Sequence, residues 1–255
     1  MPGDVTLQAA LDVMAQDNAL GERTRRGPAE PILPDDRISA FPEFAAQLAG
    51  YVRSPRRRDG LHVTVDVGGG TLDVTVFNVH QIEGEDVYPI FARKVAPLGV
   101  RYLSISRSQE LHVLVSKALS PFDDLPSEAD FRKNFKITKE ELRNADQPFR
   151  SRAESVVAEP LLYTRKQRYP DAPQWRLESD QYGKPLPSFF CGGGVLSEFY
   201  ASLLHKFEEK RPPLKLRSLP LPIPNDLKAP GITSRDYARL AVAYGLSFDP
   251  YDIGL

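Results

Sequence analysis

The sequence predicts an α/β chain built on a mixed sheet, and three observations carry that prediction. Residues 61–79, LHVTVDVGGGTLDVTVFNV, alternate apolar and polar side chains on both sides of a glycine run, the period of two paired strands. Residues 188–207, SFFCGGGVLSEFYASLLHKF, read as a short apolar strand, a second glycine run and a helix with Leu196, Phe199, Leu203 and Phe207 on one face. Helical periodicity recurs before, between and after these stretches, so strands and helices share one chain.

Taken in order, Asp4 caps a short helix with Leu7, Leu11 and Met14 on one face, and residues 21–36 form a loop whose Arg23, Arg25 and Arg26 are solvated. Residues 38–52 turn from a strand end into a helix. Pro42 suits its first position, Phe44, Leu48 and Tyr51 share a face, and Glu43 in the first turn complements the helix dipole. The basic run RSPRRRDG (53–60) is a surface connection. Strands 61–67 and 72–79 then pair antiparallel about a turn of Gly68, Gly69, Gly70 and Thr71. A third strand is expected over 87–95 and a helix over 102–119. Residues 121–169 are helical and polar, with Ser127 and Thr138 as caps and Thr138-x-x-Glu141 as a capping box. Pro160 is expected to end or kink its helix, and residues 169–187, around Trp175, form a proline-rich loop or short hairpin. Thr233 caps a last helix carrying Tyr237, Leu240, Ala241 and Tyr244.

The glycine hairpin has the composition of a phosphate cradle. Without Cβ atoms its backbone N–H groups can approach a bulky anion and its φ angles can turn positive. Thr71 adds a hydroxyl donor, Asp66 and Asp73 flank the turn, and Asp66 suits a water or a metal-bound water. The dinucleotide and Walker patterns both fail, because a β-branched strand follows the contiguous glycines and no Gly-Lys-Ser/Thr is present. The second run suits an anion or a flat ligand at a helix N-terminus, and a tight turn equally well.

Bulk composition narrows the classes. The 255 residues are 41% hydrophobic and 26% charged with a net charge of −1, which gives no electrostatic reason to bind nucleic acid or an anionic membrane. No membrane span or signal peptide is read. The single cysteine excludes an internal disulfide and fits a cytoplasmic setting. Cys191 reads as a core thiol, and His62, His80, His112 and His205 are too scattered for a metal pattern.

DVGGGTLDV resembles the second phosphate-binding motif of the actin, sugar-kinase and heat-shock chaperone ATPase superfamily, and is most similar to that of the DnaK-type chaperones. The resemblance implies a ribonuclease-H-like (actin-like ATPase) lobe with a helical insertion, binding ATP or ADP with Mg2+. It implies that Gly68, Gly69, Gly70, Thr71 and Asp73 hold phosphates and that Asp66 holds magnesium through water. Glu43, 23 positions before Asp66, becomes a cleft carboxylate near the metal and the attacking water, so that Glu43 and Asp66 form the catalytic pair. Leu98-Gly99-Val100 falls at a glycine turn before a helix. Gly192, Gly193 and Gly194 look like the adenosine motif, although Gly194 and Leu196 stand where the chaperones carry Ser-x-Arg with its adenine-stacking arginine. AVAYGLS (241–247) looks like the closing helix.

The family builds its site between two lobes, and nothing before residue 61 resembles the first lobe's own phosphate hairpin. The expected organisation is therefore residues 1–37 as a helix and loop and 38–255 as the second lobe, with 121–187 inserted. Such a chain is an incomplete, truncated or split ATPase, inactive alone, whose cleft face would take the missing lobe or another protein. The alternative is a non-catalytic protein-interaction module derived from that fold.

Overall fold

Alternation along the hairpin sorts its side chains into two layers. The computed structural model describes residues 43–82, 84–113, 126–166, 185–211, 214–228 and 230–248, all within one compact unit, Phe41–Leu255. The expected N-terminal helix, the loop 21–36, Pro42 and most of 169–187 lie outside the described residues. Strand β1 (Gly60–Val67) pairs antiparallel with β2 (Leu72–Ile82) in the register Asp66↔Asp73 and Val67↔Leu72, as the period of two requires. The other edge of β2 takes β3 (Glu85–Val87) and β4 (Ile90–Ala96), where a single strand was expected. Pro89 supplies no N–H to the ladder, so the strand breaks there, and the Pro89 carbonyl instead accepts from the Asn78 N–H at 3.0 Å.

On the far side of β1, β5 (Leu186–Cys191) runs parallel to it and β6 (Leu216–Ser218) runs parallel to β5. The order β4-β2-β1-β5-β6, with β2 alone reversed, is that of an α/β, ribonuclease-H-like lobe. One face buries Val63, Val65, Val67, Val74 and Val76 under helices α4 (Lys139–Lys166) and α5 (Glu198–Glu209) through Phe149, Val157, Phe199 and Leu203. The other buries Phe77, Val79, Phe189 and Cys191 under α1 (Glu43–Val52) and α6 (Ser234–Gly245). Two glycines let those helices touch: side chains at Gly50 and Gly245 would run into the Tyr237 hydroxyl and the Ala46 carbonyl.

Helix α2 (Val100–Leu111) is shorter than expected and stops where His112 turns left-handed. Residues 114–125 lie outside the described residues. Helix α3 (Glu128–Phe135) is capped by Ser127, and α4 opens on the expected box, Thr138 and Glu141 bonding reciprocally at 2.7 and 3.1 Å. Buried Arg107 fastens α2 to α4, donating twice to Asp146 at 2.7 Å. Helix α4 does not end at Pro160 but continues to Lys166. Its buried stripe, Leu142, Ala145, Phe149, Ala153, Val157 and Leu161, holds it to the sheet. Burying each large side chain of that stripe stabilises by ~1.5–3 kcal/mol, which together outweighs a proline's cost of ~3 kcal/mol. No described helix is long and apolar enough to cross a membrane.

Candidate functional site

Because β1 and β5 are parallel and paired, their C-terminal ends lie side by side, with Asp66 opposite Cys191. Both glycine runs follow directly. Gly192 has φ 78°, and a side chain on it would strike the Asp66 carboxylate and the Val67 carbonyl. A Cβ on Gly194 would come within 2.5 Å of Val67 Cγ1 and 2.8 Å of Val100 Cγ1. The two runs, more than a hundred residues apart in sequence, are thus packed at one end of the sheet. The second does not open a helix, as its composition suggested. A 3-10 turn (Gly193–Leu196) intervenes, and α5 begins at Glu198 with Ser197 as its cap.

The first run is oriented by α2. The N–H groups of Gly99, Val100 and Arg101 donate to the carbonyls of Gly70, Gly68 and Gly69 at 3.1, 3.1 and 2.9 Å. This close approach needs Gly99, since a Cβ there would lie 2.6 Å from Gly68 O, Gly69 O and Gly70 C. In a planar trans peptide the C=O and the following N–H point in opposite directions. Three carbonyls turned toward α2 therefore turn the N–H groups of Gly69, Gly70 and Thr71 away from it. These residues are exposed, and their N–H groups have no partner among the described residues. Successive outward N–H groups make an anion-binding concavity. None of Gly68, Gly69 and Gly70 uses the positive φ open to glycine, and a Cβ at Gly69 or Gly70 would meet nothing within 4 Å. The chain itself does not require glycine at those two positions.

The carboxylates converge on the same end. Asp66 is partly buried and accepts a hydrogen bond from Gln47 Nε2 of α1. Burial pushes its pKa up to about 6, against the Gln47 bond and with help from the nearby charges of Glu43 and Asp73. Glu43 is the exposed first residue of α1. Asp73 pairs with Arg93 of β4 at 3.6 Å. Cys191 is fully buried, and its thiol is held protonated by burial and by the neighbouring Asp66 and Glu43 charges. Glu43, Asp66, Asp73 and the two glycine runs thus lie at or beside the joined ends of β1 and β5.

Three contributors escaped sequence reading: Gln47, the α2 N–H groups, and Arg239 of α6, whose guanidinium would lie 3.4 Å from a Cβ on Gly193. Each reaches the site across elements distant in sequence. Only the helical spacing of Gln47 from Glu43, one turn along α1, was a usable signal. No cluster of three or more metal-ligating side chains occurs among the described residues. Magnesium is commonly held by one or two carboxylates together with substrate phosphates. One partly buried carboxylate beside an outward N–H concavity fits a metal that arrives with a polyphosphate. A separate groove of about 610 Å³, lined in part by Arg53, Arg56, Pro224 and Tyr244, includes none of these residues.

No protein-family model and no curated protein sequence matches the chain. Solved structures do. One is a chain of the PilM-PilN type IV pilus biogenesis complex, with a TM-score of 0.48 and 13% identity over 96% of this chain and 73% of that one. Another is the ethanolamine utilization protein EutJ from Carboxydothermus hydrogenoformans, with a TM-score of 0.37 and 16% identity over 77% of this chain and 53% of that one. The fold assignment rests on strand order and direction.

Proposed function

We infer that this lobe binds a nucleoside polyphosphate, ATP or ADP with Mg2+, and that it is one half of an actin-like or chaperone-like ATPase site. The observation that carries the reading is the outward set of N–H groups at Gly69, Gly70 and Thr71, held by α2 and without a partner among the described residues. The Thr71 hydroxyl adds a further donor to the phosphates, and Asp73 flanks them. Asp66 would hold a magnesium-bound water, Glu43 would face the attacking water, and Gly192, Gly193 and Gly194 would pass beneath the ribose and base. Magnesium, when bound, would neutralise the phosphate charge; the chain's part is to position and orient. Hydrolysis would need phosphate donors from a second lobe or partner.

A module that binds protein in place of nucleotide is the second reading. It is favoured by Tyr102 and Ile105, two large exposed apolar side chains on the helix that clamps the glycine turn. Calorimetric titration with Mg-ADP, on the wild type and on Gly69→Ala and Gly70→Ala, separates the two. The nucleotide reading expects weak binding that either added methyl removes; absence of binding by the wild type at tens of millimolar ligand favours the protein module.

A further inference from the structure

Gln47 is out of place for an ordinary helix residue. It stands one turn after Glu43 on α1, is 2% exposed, and is surrounded in sequence by the buried Phe44, Ala45, Ala46 and Leu48. A buried amide in apolar company is costly unless it is bonded. Its Nε2 donates to Asp66 Oδ2. The other oxygen, Oδ1, faces Gly192, where any side chain would collide with it. One side of the carboxylate is thus committed to a protein donor, and the other is kept clear of side chains by a glycine. Rotating the carboxylate breaks the amide bond.

We propose that Gln47 is the positioning residue of the metal site: it occupies Oδ2 so that Oδ1 alone receives the magnesium-bound water of the nucleotide. The assignment rests on the nucleotide reading above. Leucine at this position keeps the bulk of the side chain and removes the donor, which frees the carboxylate to turn.

The test is the gain in ADP affinity on adding Mg2+, measured by NMR titration of the full chain. A ratio is used so that any general loss of affinity cancels. Gln47→Leu is expected to shrink the gain about tenfold, and Asp66→Asn to abolish it. In the Asp66→Asn background Gln47→Leu should then change nothing, because the amide acts only through the carboxylate. A second measurement needs no variant: the Gln47 side-chain amide resonances of the wild type should exchange slowly with solvent and should shift when Mg2+ is added to the ADP-loaded protein. An undiminished gain in Gln47→Leu overturns the assignment, as does an unshifted Gln47 amide where that variant fails to fold. No ADP binding by the wild type overturns the nucleotide reading and this one with it. A magnesium gain that survives the loss of the amide overturns this one alone.

Discussion

His62 and Asp66 lie on one face of β1, and burial pushes their ionisation in opposing directions for stability. The His62 Nδ1–H donates to the Gly60 carbonyl at 2.7 Å, and Nε2 accepts from the Tyr51 hydroxyl at 3.1 Å, between the rings of Phe77 and Phe189. Burial lowers its pKa to about 4. The unfolded chain therefore binds this proton first, and stability is lost as pH falls from about 6.5 toward 4, by about 3 kcal/mol. Asp66, raised to about 6, has the opposite sign. The folded state binds its proton first, so the buried charge costs stability above pH 6, and that cost is relieved as pH falls toward 4. The two contributions largely cancel in the wild type. Asp66→Asn should be more stable than wild type by about 3 kcal/mol at pH 7, with the difference shrinking toward zero by pH 4. Urea unfolding at both pH values checks the sign, and a less stable Asp66→Asn at pH 7 contradicts it.

The glycines give a second prediction at the same scale. Gly69→Ala and Gly70→Ala should leave the melting temperature unchanged, because neither position has positive φ or a neighbour within 4 Å. Gly99→Ala and Gly192→Ala should each destabilise by about 2 kcal/mol or more, since each would force backbone apart or strain a positive φ. Thermal melts of the four variants test this together. The identities of these residues were readable in the sequence. Which glycines serve the fold and which face outward was not, because that depends on α2 reaching the turn through the N–H groups of Gly99, Val100 and Arg101.

At the scale of the element, local chemistry was the legible part. The β1–β2 register followed from period-two alternation, and the caps at Ser127, Thr138 and Thr233 followed from side-chain type and spacing. Thr138→Ala should therefore cost about 1 kcal/mol. The elements whose extent local signals did not fix are those decided by distant packing. Proline inside α4 signals a break locally, yet the helix persists because its apolar stripe is held on the sheet. Pro148 is exposed and lacks the N–H that would reach the Asn144 carbonyl. Pro148→Ala should restore that bond and stabilise the protein by about 1–3 kcal/mol. A lower melting temperature would show that the helix is adapted to the proline. The split of β3 from β4 belongs to the same class: Pro89 was visible, but which ladder it would interrupt was not.

At the scale of the molecule, parallel pairing of β1 with β5 brings two glycine runs and the carboxylates to one end of the sheet. The described residues hold one such phosphate turn, and on the proposed reading that a second lobe completes the site the expected affinity is low. A complete two-lobed site binding at ~1 μM corresponds to about −8 kcal/mol, and losing two or three charge-assisted hydrogen bonds removes about 4–6 kcal/mol, which places binding in the millimolar range or beyond. On that same reading turnover should be absent, because a half-cleft would leave the γ-phosphate in water. The most direct measurement of the central claim is an amide NMR titration of 15N-labelled protein with Mg-ATP, read residue by residue. The account predicts saturable shifts at millimolar ligand, concentrated at Gly69, Gly70 and Thr71 with smaller ones at Gly192, Gly193 and Gly194. Unshifted amides at those six positions, or shifts confined to residues remote from the joined ends of β1 and β5, would contradict it.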